Sequence, residues 1–343
     1  MNLAHWSEAS RVHKKLLSQY IIGLWFLLSS SAIFAETMQN RIIEEVYVTG
    51  THIKGLKRNG TIPLTILQQN YIDGLAATSV SDVINNLTVS SGAENRSDSL
   101  TQGFSQGTEN VNLRGLGLSS TLVLFNGRRQ TVSGALANDG SVFVDTSSIP
   151  INAIERVEVL KEGATSTYGS DAIAGVVNFI LRTNFDGFEV TSGYQRVQNG
   201  DQSDKNIGIL WGKQFGDTSV TLVTHYLQRS ALRGSSRPTL IDNAISGLGS
   251  TFIASSNASV SSGPYAGDYA SGDYIPNAQC EEYTEAILSS STCRFFYGPR
   301  FNLVAAETRL QFFTNLTHNF SNGSKFFTDL GYSNNKVTEN PQS

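Results

Sequence analysis

Charge is scarce in this 343-residue chain: Asp, Glu, Lys and Arg together make up 16%. The net charge is −4, and neither sign gathers into a block. That excludes a nucleic-acid surface built on a basic run. Histidine is scarce too. The five, His5, His13, His52, His225 and His318, are scattered, and none stands at ligand spacing from Cys280 or Cys293, so no metal site is written here. No G-x-S-x-G, H-E-x-x-H or P-loop occurs, and the many serines have no histidine–acid set beside them. Gly115-Leu116-Gly117 lacks the third glycine of a dinucleotide loop, because Ser120 stands there. These absences leave no catalytic set, cofactor or metal to assign. Beyond Ala35 no apolar run is long enough for a membrane helix. A transmembrane barrel stays open, since its strands are only weakly alternating segments of ~10 residues.

What is present begins with an export signal at residues 1–35. Arg11, His13, Lys14 and Lys15 give a basic start. YIIGLWFLL at 20–28 is an apolar core, and small residues lead to Ala35. Cleavage is expected after Ala35. The alternative is an anchoring helix over 16–35, near the spanning minimum of about 20 residues but diluted by serines. For an exported chain, Cys280 and Cys293 in one polar stretch favour a disulfide that closes that stretch.

Residues 36–62 form a polar tether with one β-prone island, EEVYVTG at 44–50. A short extended peptide on a tether suits β-augmentation of a partner's sheet edge. The plainer reading is a first strand of the following domain. Residues 63–185 read as mixed α/β. Strands are expected at 63–67, 111–113, 122–125, 157–160 and 175–181. A helix is expected over 70–87, with Leu75, Val80, Val83, Ile84 and Leu87 on one face and Ser79 or Ser81 as N-cap. Asn126-Gly127 signals a hairpin.

Residues 186–343 change character. Strands are expected at 188–198, 206–215, 219–229, 307–320 and 325–336, with a long polar connection over 230–305. Leu310, Phe312, Leu316 and Phe320 alternate with Glu307, Arg309, Gln311, Asn315, Thr317 and Asn319. Phe326, Leu330 and Tyr332 oppose Lys325, Asp329 and Ser333. A transmembrane barrel and a soluble β-sandwich share this pattern with the faces exchanged.

In this order, EEVYVTG at 44–50, VNLRGLG at 111–117, TLVLFNGRR at 121–129 and IERVEVLK…YGSDAIAGVVN from residue 154 onward resemble TonB-dependent outer-membrane receptors. The resemblance covers 44 to about 182. It implies the N-terminal part of such a receptor: signal peptide, TonB box, plug domain and first barrel strands. The implied fold is an α/β plug, a small mixed sheet with short helices, followed by antiparallel β-strands of an incomplete transmembrane β-barrel with a long extracellular loop at 230–305.

The resemblance also implies roles. Glu44, Glu45, Val46, Tyr47, Val48, Thr49 and Gly50 would form the TonB box, grasped by the periplasmic C-terminal domain of TonB. Arg114 and Lys161 fall where plugs often hold cations facing acidic barrel residues. Ligand is expected on the outward loops, at Arg96, Asp98, Phe104, Gln106, Leu118, Ser119, Asn138 and Asp139. An iron–siderophore is the commonest cargo in the family, and a corrinoid or an oligosaccharide stays open. The expected site is the cell outer membrane, with outer-membrane lipid as a partner. One departure is Glu162-Gly163 after Lys161, where the family commonly has Gly-Pro. About eight residues separate Ala35 from Glu44, too few for an extra signalling domain before the box.

Plugged transporters close with 22 strands. About 160 residues follow Arg182, which suffices for roughly five or six strands at ~10 residues each plus connections. The expectation is a truncated chain. The rival is a soluble periplasmic or secreted binding protein made of a plug-like domain and a small β-domain. It would bury Leu310, Phe312, Leu316 and Phe320, whereas a barrel would turn them to lipid.

Overall fold

The computed structural model describes residues 64–94, 105–242, 244–246 and 249–338. The export signal, the tether and residues 44–50 lie outside the described residues.

Two five-stranded sheets organise the chain. The first belongs to an α/β domain. Its strands β1 (Leu64–Gln68), β2 (Thr121–Phe125), β3 (Arg128–Arg129), β4 (Ile154–Leu160) and β5 (Gly175–Leu181) take the order β1-β4-β5-β2-β3. β2 and β5 run parallel and the other neighbours antiparallel. Asn126 and Gly127 close the β2–β3 hairpin with φ of 48° and 75°. A two-residue turn of this hand needs positive φ at both positions, which Asn-Gly accepts most cheaply.

The apolar spacing over 70–87 predicts one helix, and the structure makes two: α1 (Gln69–Gly74) and α2 (Val80–Asn85). Ala76 at φ 49° ends the first. Asp82 Oδ2 then accepts the backbone N–H of Thr78 and of Ser79 at 2.8 and 3.0 Å, which opens the second with Ser79 as N-cap. Most of the apolar face survives the break: Val80, Val83, Ile84 and Leu87 enter the main core, where Ile72 joins them, while Leu75 at the break is only half-buried. The strand expected at 111–113 is a single bridge, Ser90 to Leu113. Its backbone groups are used elsewhere: Leu113 N donates to Thr121 Oγ1 at 3.0 Å, and Asn112 O accepts from Ser91 N at 3.0 Å. Arg114 at φ 60° then turns the chain away.

The second sheet, the wall, is wholly antiparallel. β6 (Gly187–Arg196), β7 (Ser203–Phe215), β8 (Thr218–Arg229), β9 (Ala306–Asn319) and β10 (Lys325–Thr338) lie in the order β10-β9-β8-β7-β6. The tight β7–β8 and β9–β10 turns share one end, and the 230–305 connection leaves from the other. One face packs on the α/β domain: Leu210, Val223 and Phe313 belong to the same core cluster as Val157, Val177 and Phe179. That close approach needs glycine at 208. A Cβ there would sit 2.7 Å from Asn152 Nδ2 and 2.5 Å from Thr191 Oγ1.

The polar connection is folded rather than structureless. It holds short two-stranded ladders, among them Thr251–Ile253 with Tyr274–Pro276 and Ala286–Ser289 with Thr292–Phe295. Ile241, Ala244 and Leu303 form a small core of its own. Cys280 and Cys293 are joined, and both are buried. A segment so rich in short polar turns buries little apolar area, so the cross-link supplies what its core lacks. Changing Cys280 and Cys293 to Ser should therefore destabilise this segment by ~3 kcal/mol. Limited proteolysis is expected to nick the double variant within 250–295 while β6 to β10 stay resistant.

Candidate functional site

The functional geometry lies where the α/β domain meets the wall. The inner face of the wall is read row by row from its strand register. Asp204, Arg229 and Glu307 stand side by side on β7, β8 and β9. The next row places Arg309 beside Leu227, then Gln311 beside His225, then Phe313 beside Val223 and Leu210. Alternation puts every one of these side chains on the same face.

That face carries a chain of buried charge. Arg309, 1% exposed, reaches Glu109 of the α/β domain at 2.8 Å and pairs with Glu307. Glu307 lies 3.7 Å from Arg229, which pairs with Asp204. Arg229 Nη2 also donates to Thr78 Oγ1 at 3.3 Å. Two guanidinium groups are thus held among three carboxylates, and both ends of the chain touch the α/β domain. Glu109 Oε2 accepts Ser81 N at 2.9 Å, at the start of α2. Such groups are costly to desolvate and hold together only when mutually paired.

A neutral set lies beside them. Gln311 Nε2 donates to the carbonyls of Ser147 and Ile149 at 2.6 and 2.8 Å. Its Oε1 therefore accepts from His225 Nδ1 at 3.0 Å, which places the imidazole proton on that nitrogen. Asn152 Nδ2 donates to the carbonyls of Ile209 and Thr224 at 3.3 and 3.2 Å, above Gly208. Asp145 anchors the loop beneath by accepting Glu109 N and Ser147 N at 3.0 and 2.9 Å. Burial pushes its carboxyl above the usual value, the hydrogen bonds oppose that rise, and the Glu109 charge adds to it.

The sequence-predicted residues fall as follows. Arg114 Nη2 donates to the carbonyls of Ala174 and Ile173 at 3.0 and 3.4 Å, inside its own domain. Lys161 is half-buried at the end of β4. The α/β-domain cations that meet wall carboxylates are Arg128, paired with Asp329, and Arg182, whose Nη1 lies 2.8 Å from Glu189 Oε2 on β6. Arg96, Asp98 and Phe104 lie outside the described residues. Asn138 is drawn to the 105–108 turn through Glu94, whose carboxylate accepts Asn138 N at 3.0 Å and Ser105 Oγ at 2.9 Å. Gln106 sits in that turn, half-buried. Ser119 and Asp139 are exposed. Hydrogen bonds from the Ser141 hydroxyl and N–H hold Asp139 below the ordinary carboxylate range. Leu118 is buried with Ala137 and Phe143 and presents no surface.

Glu109 was not foreseen from the sequence. Its signal was available: it is the only charged residue between Asp98 and Arg114. A lone carboxylate in a polar loop, with adjacent Glu307 and Arg309 on the polar face of a strand, is the pattern of a buried pair.

Comparisons with known proteins bear on this geometry. Residues 57–176 match the model of the TonB-dependent Receptor Plug Domain. The structure is similar to the unliganded ferric citrate transporter FecA, with a TM-score of 0.51 at 12% identity, over 82% of this chain and 32% of that one. A variant of the ferric enterobactin receptor from Pseudomonas aeruginosa, bound to enterobactin, matches with a TM-score of 0.48 at 15% identity, over 81% and 34%. The siderophore receptor PirA from Acinetobacter baumannii gives 0.42 and 16%, over 79% and 40%. The chain spans about a third of the length of the first two receptors.

Two outcomes are expected. Arg309→Ala, which strands Glu109 and Glu307 without a cation, should cost about 3–5 kcal/mol, whereas exposed Arg128→Ala should cost at most about 1 kcal/mol. Denaturant titration with intrinsic fluorescence reads both. Asp145→Asn keeps the accepting oxygen and removes the desolvated charge. Because the folded-state pKa of Asp145 is raised, its contribution is fully present below the unfolded value near 3.8 and is lost as pH rises through the folded value. The variant should therefore match wild type in acid and gain on it as pH rises, read as the difference in Tm across a pH series.

Proposed function

From the match of residues 57–176 to the TonB-dependent Receptor Plug Domain, we propose that this chain is the N-terminal part of an outer-membrane receptor that takes up a scarce solute with energy delivered by TonB. The observation that carries this reading is the inverted polarity of the wall. Its buried face holds Asp204, Arg229, Glu307, Arg309 and Gln311, while Phe188, Val190, Ile209, Leu310, Phe312, Phe320 and Leu330 are exposed. A soluble sandwich would reverse the two faces at large hydrophobic gain. Lipid outside and a polar plug inside account for the arrangement as it stands.

In this reading the wall begins a transmembrane barrel, and residues 230–305 form an extracellular loop. Cargo binds the outward loops, at Gln106, Ser119, Asn138 and Asp139. Residues 44–50 add a strand to the periplasmic domain of TonB, whose pull then acts on the plug through β1. An export signal over 1–35 delivers the chain. Ferric siderophores lead as cargo, because they are the commonest cargo of the family that the chain resembles. A corrinoid or an oligosaccharide fits the same loops.

Two measurements test it. Bromolipid quenching of a fluorophore at Leu310→Cys should be strong and at Thr317→Cys weak. Equal, weak quenching at both would favour the soluble binder. Val46→Pro, which removes a backbone donor from the added strand, should abolish site-directed cross-linking of this peptide to TonB while leaving outer-membrane fractionation unchanged.

A further inference from the structure

The face of the wall turned away from the plug has an order of its own. Strand register sets its rows. Tyr194 lies in a row with Lys205, Gln228, Thr308 and Lys336, and the next row joins Ser192, Ile207, Tyr226, Leu310 and Asn334. The row after that joins Val190, Ile209, Thr224, Phe312 and Tyr332. The last two rows mix polar and apolar side chains, so a boundary does not follow them. It follows an oblique line. Tyr194 on β6, Tyr226 on β8 and Tyr332 on β10, all exposed, step down one row for every two strands. One row is about 6.8 Å along a strand and two strands are about 9.6 Å across, so the line is inclined to the rows by about 35°. Strands of a membrane barrel tilt by about 35–45°, and a level of constant depth crosses them at that same angle. The backbone repeats the slope. The β7–β8 hairpin closes at Phe215 and Thr218, in the row of His318, whereas the β9–β10 hairpin, two strands on, runs one row farther, to the bond from Phe320 N to Ser324 O at 2.8 Å. Register alone sets this line, whatever pairs with β6 or β10.

With the wall taken as part of a barrel, the reading on which this rests, we propose that Tyr194, Tyr226 and Tyr332 mark the level at which lipid headgroups meet hydrocarbon at the loop end of the wall. Phe215 and Phe320 mark the opposite boundary. They form a second line parallel to the first, about 25 Å farther down the axis at this tilt, which is the height of the apolar band of such barrels. Outward side chains sort by depth against the two lines. Past Leu310, which sits at the edge of the upper line, the strands carry cations at Arg196, Lys205 and Lys336 and no outward carboxylate among the described residues. Cations at that level suit anionic headgroups. Between the lines the outward face holds Ile207, Ile209, Trp211, Leu222, Leu316 and Leu330. Its ion pair there, Lys213 with Asp186 at 3.3 Å, lies close to the lower line, where the lysine stem can lift its ammonium to the headgroups. A tyrosine suits the upper line because its ring enters hydrocarbon while its hydroxyl stays hydrated. The membrane surface therefore cuts the register rows at an angle, so Ser192 lies in hydrocarbon while Asn334, in the same row, lies among headgroups.

The test uses the whole native protein in phosphatidylcholine vesicles, with a bimane label on single cysteines. The native cysteines are paired and buried, so each label reports alone. Ser192→Cys and Asn334→Cys share a row but lie on opposite sides of the line, about 11 Å apart in depth at this tilt. Thr224→Cys lies one row below Ser192→Cys and at the same depth. Bromolipid quenching is expected to be equal at Ser192→Cys and Thr224→Cys and several-fold weaker at Asn334→Cys, while aqueous iodide quenches in the reverse order. Equal quenching at Ser192→Cys and Asn334→Cys, with Thr224→Cys deeper than both, would set the boundary along a row and overturn the proposal. Absence of bromolipid quenching at all three would remove the barrel reading itself, and the oblique boundary with it.

Discussion

The buried ion chain from Glu109 through Arg309, Glu307 and Arg229 to Asp204 is the constraint around which the rest is arranged. Taking five charges out of water is unfavourable unless each finds partners at short range. Those partners come from residues far apart in sequence, so the pairs form only when the wall strands are in register and the α/β domain is seated on them. A shift of one residue in any of β7, β8 or β9 would turn its charged member to the outside. The same chain therefore specifies strand register and domain position together. The hydrogen bonds of Gln311 and Asn152 act within a frame that the charges have already set.

The inverted wall follows from the same requirement. A sheet that presents Asp, Arg, Glu and Gln inward cannot also serve as an ordinary hydrophobic core. Among the described wall residues, Leu210, Val223 and Phe313 join the main core, in one row near the middle of the wall, and Leu227 is buried beside Arg309. The apolar side chains that a soluble sheet would bury are left outside, on Phe188, Ile209, Leu310 and Leu330. Water is a poor neighbour for a continuous surface of this kind, and the polar inner face is a poor neighbour for lipid. The two faces together match the proposed arrangement, with hydrocarbon on one side and a hydrogen-bonding plug on the other.

Local signals were readable in advance, and long-range ones were not. The strands of both sheets follow alternation and β-branched runs, and Asn126-Gly127 announced its hairpin through backbone chemistry that needs no tertiary context. The helix over 70–87 was misread as continuous. Its apolar periodicity carries across the break, whereas the break depends on Asp82 capping Thr78 and Ser79. Residues 111–113 looked like a strand, but their backbone bonds go to Thr121 Oγ1 and to the 89–91 segment. The 230–305 connection hid its structure because each ladder is only a few residues long and its core is three residues. At the seam, the cations expected were Arg114 and Lys161, whereas Arg114 bonds carbonyls of its own domain and it is Arg128 and Arg182 that pair with wall carboxylates. The buried contact has the opposite polarity, a plug carboxylate on a wall guanidinium, and across 200 residues the sequence shows only its two halves, a lone carboxylate in a polar loop and a charged strand face, without saying that they pair.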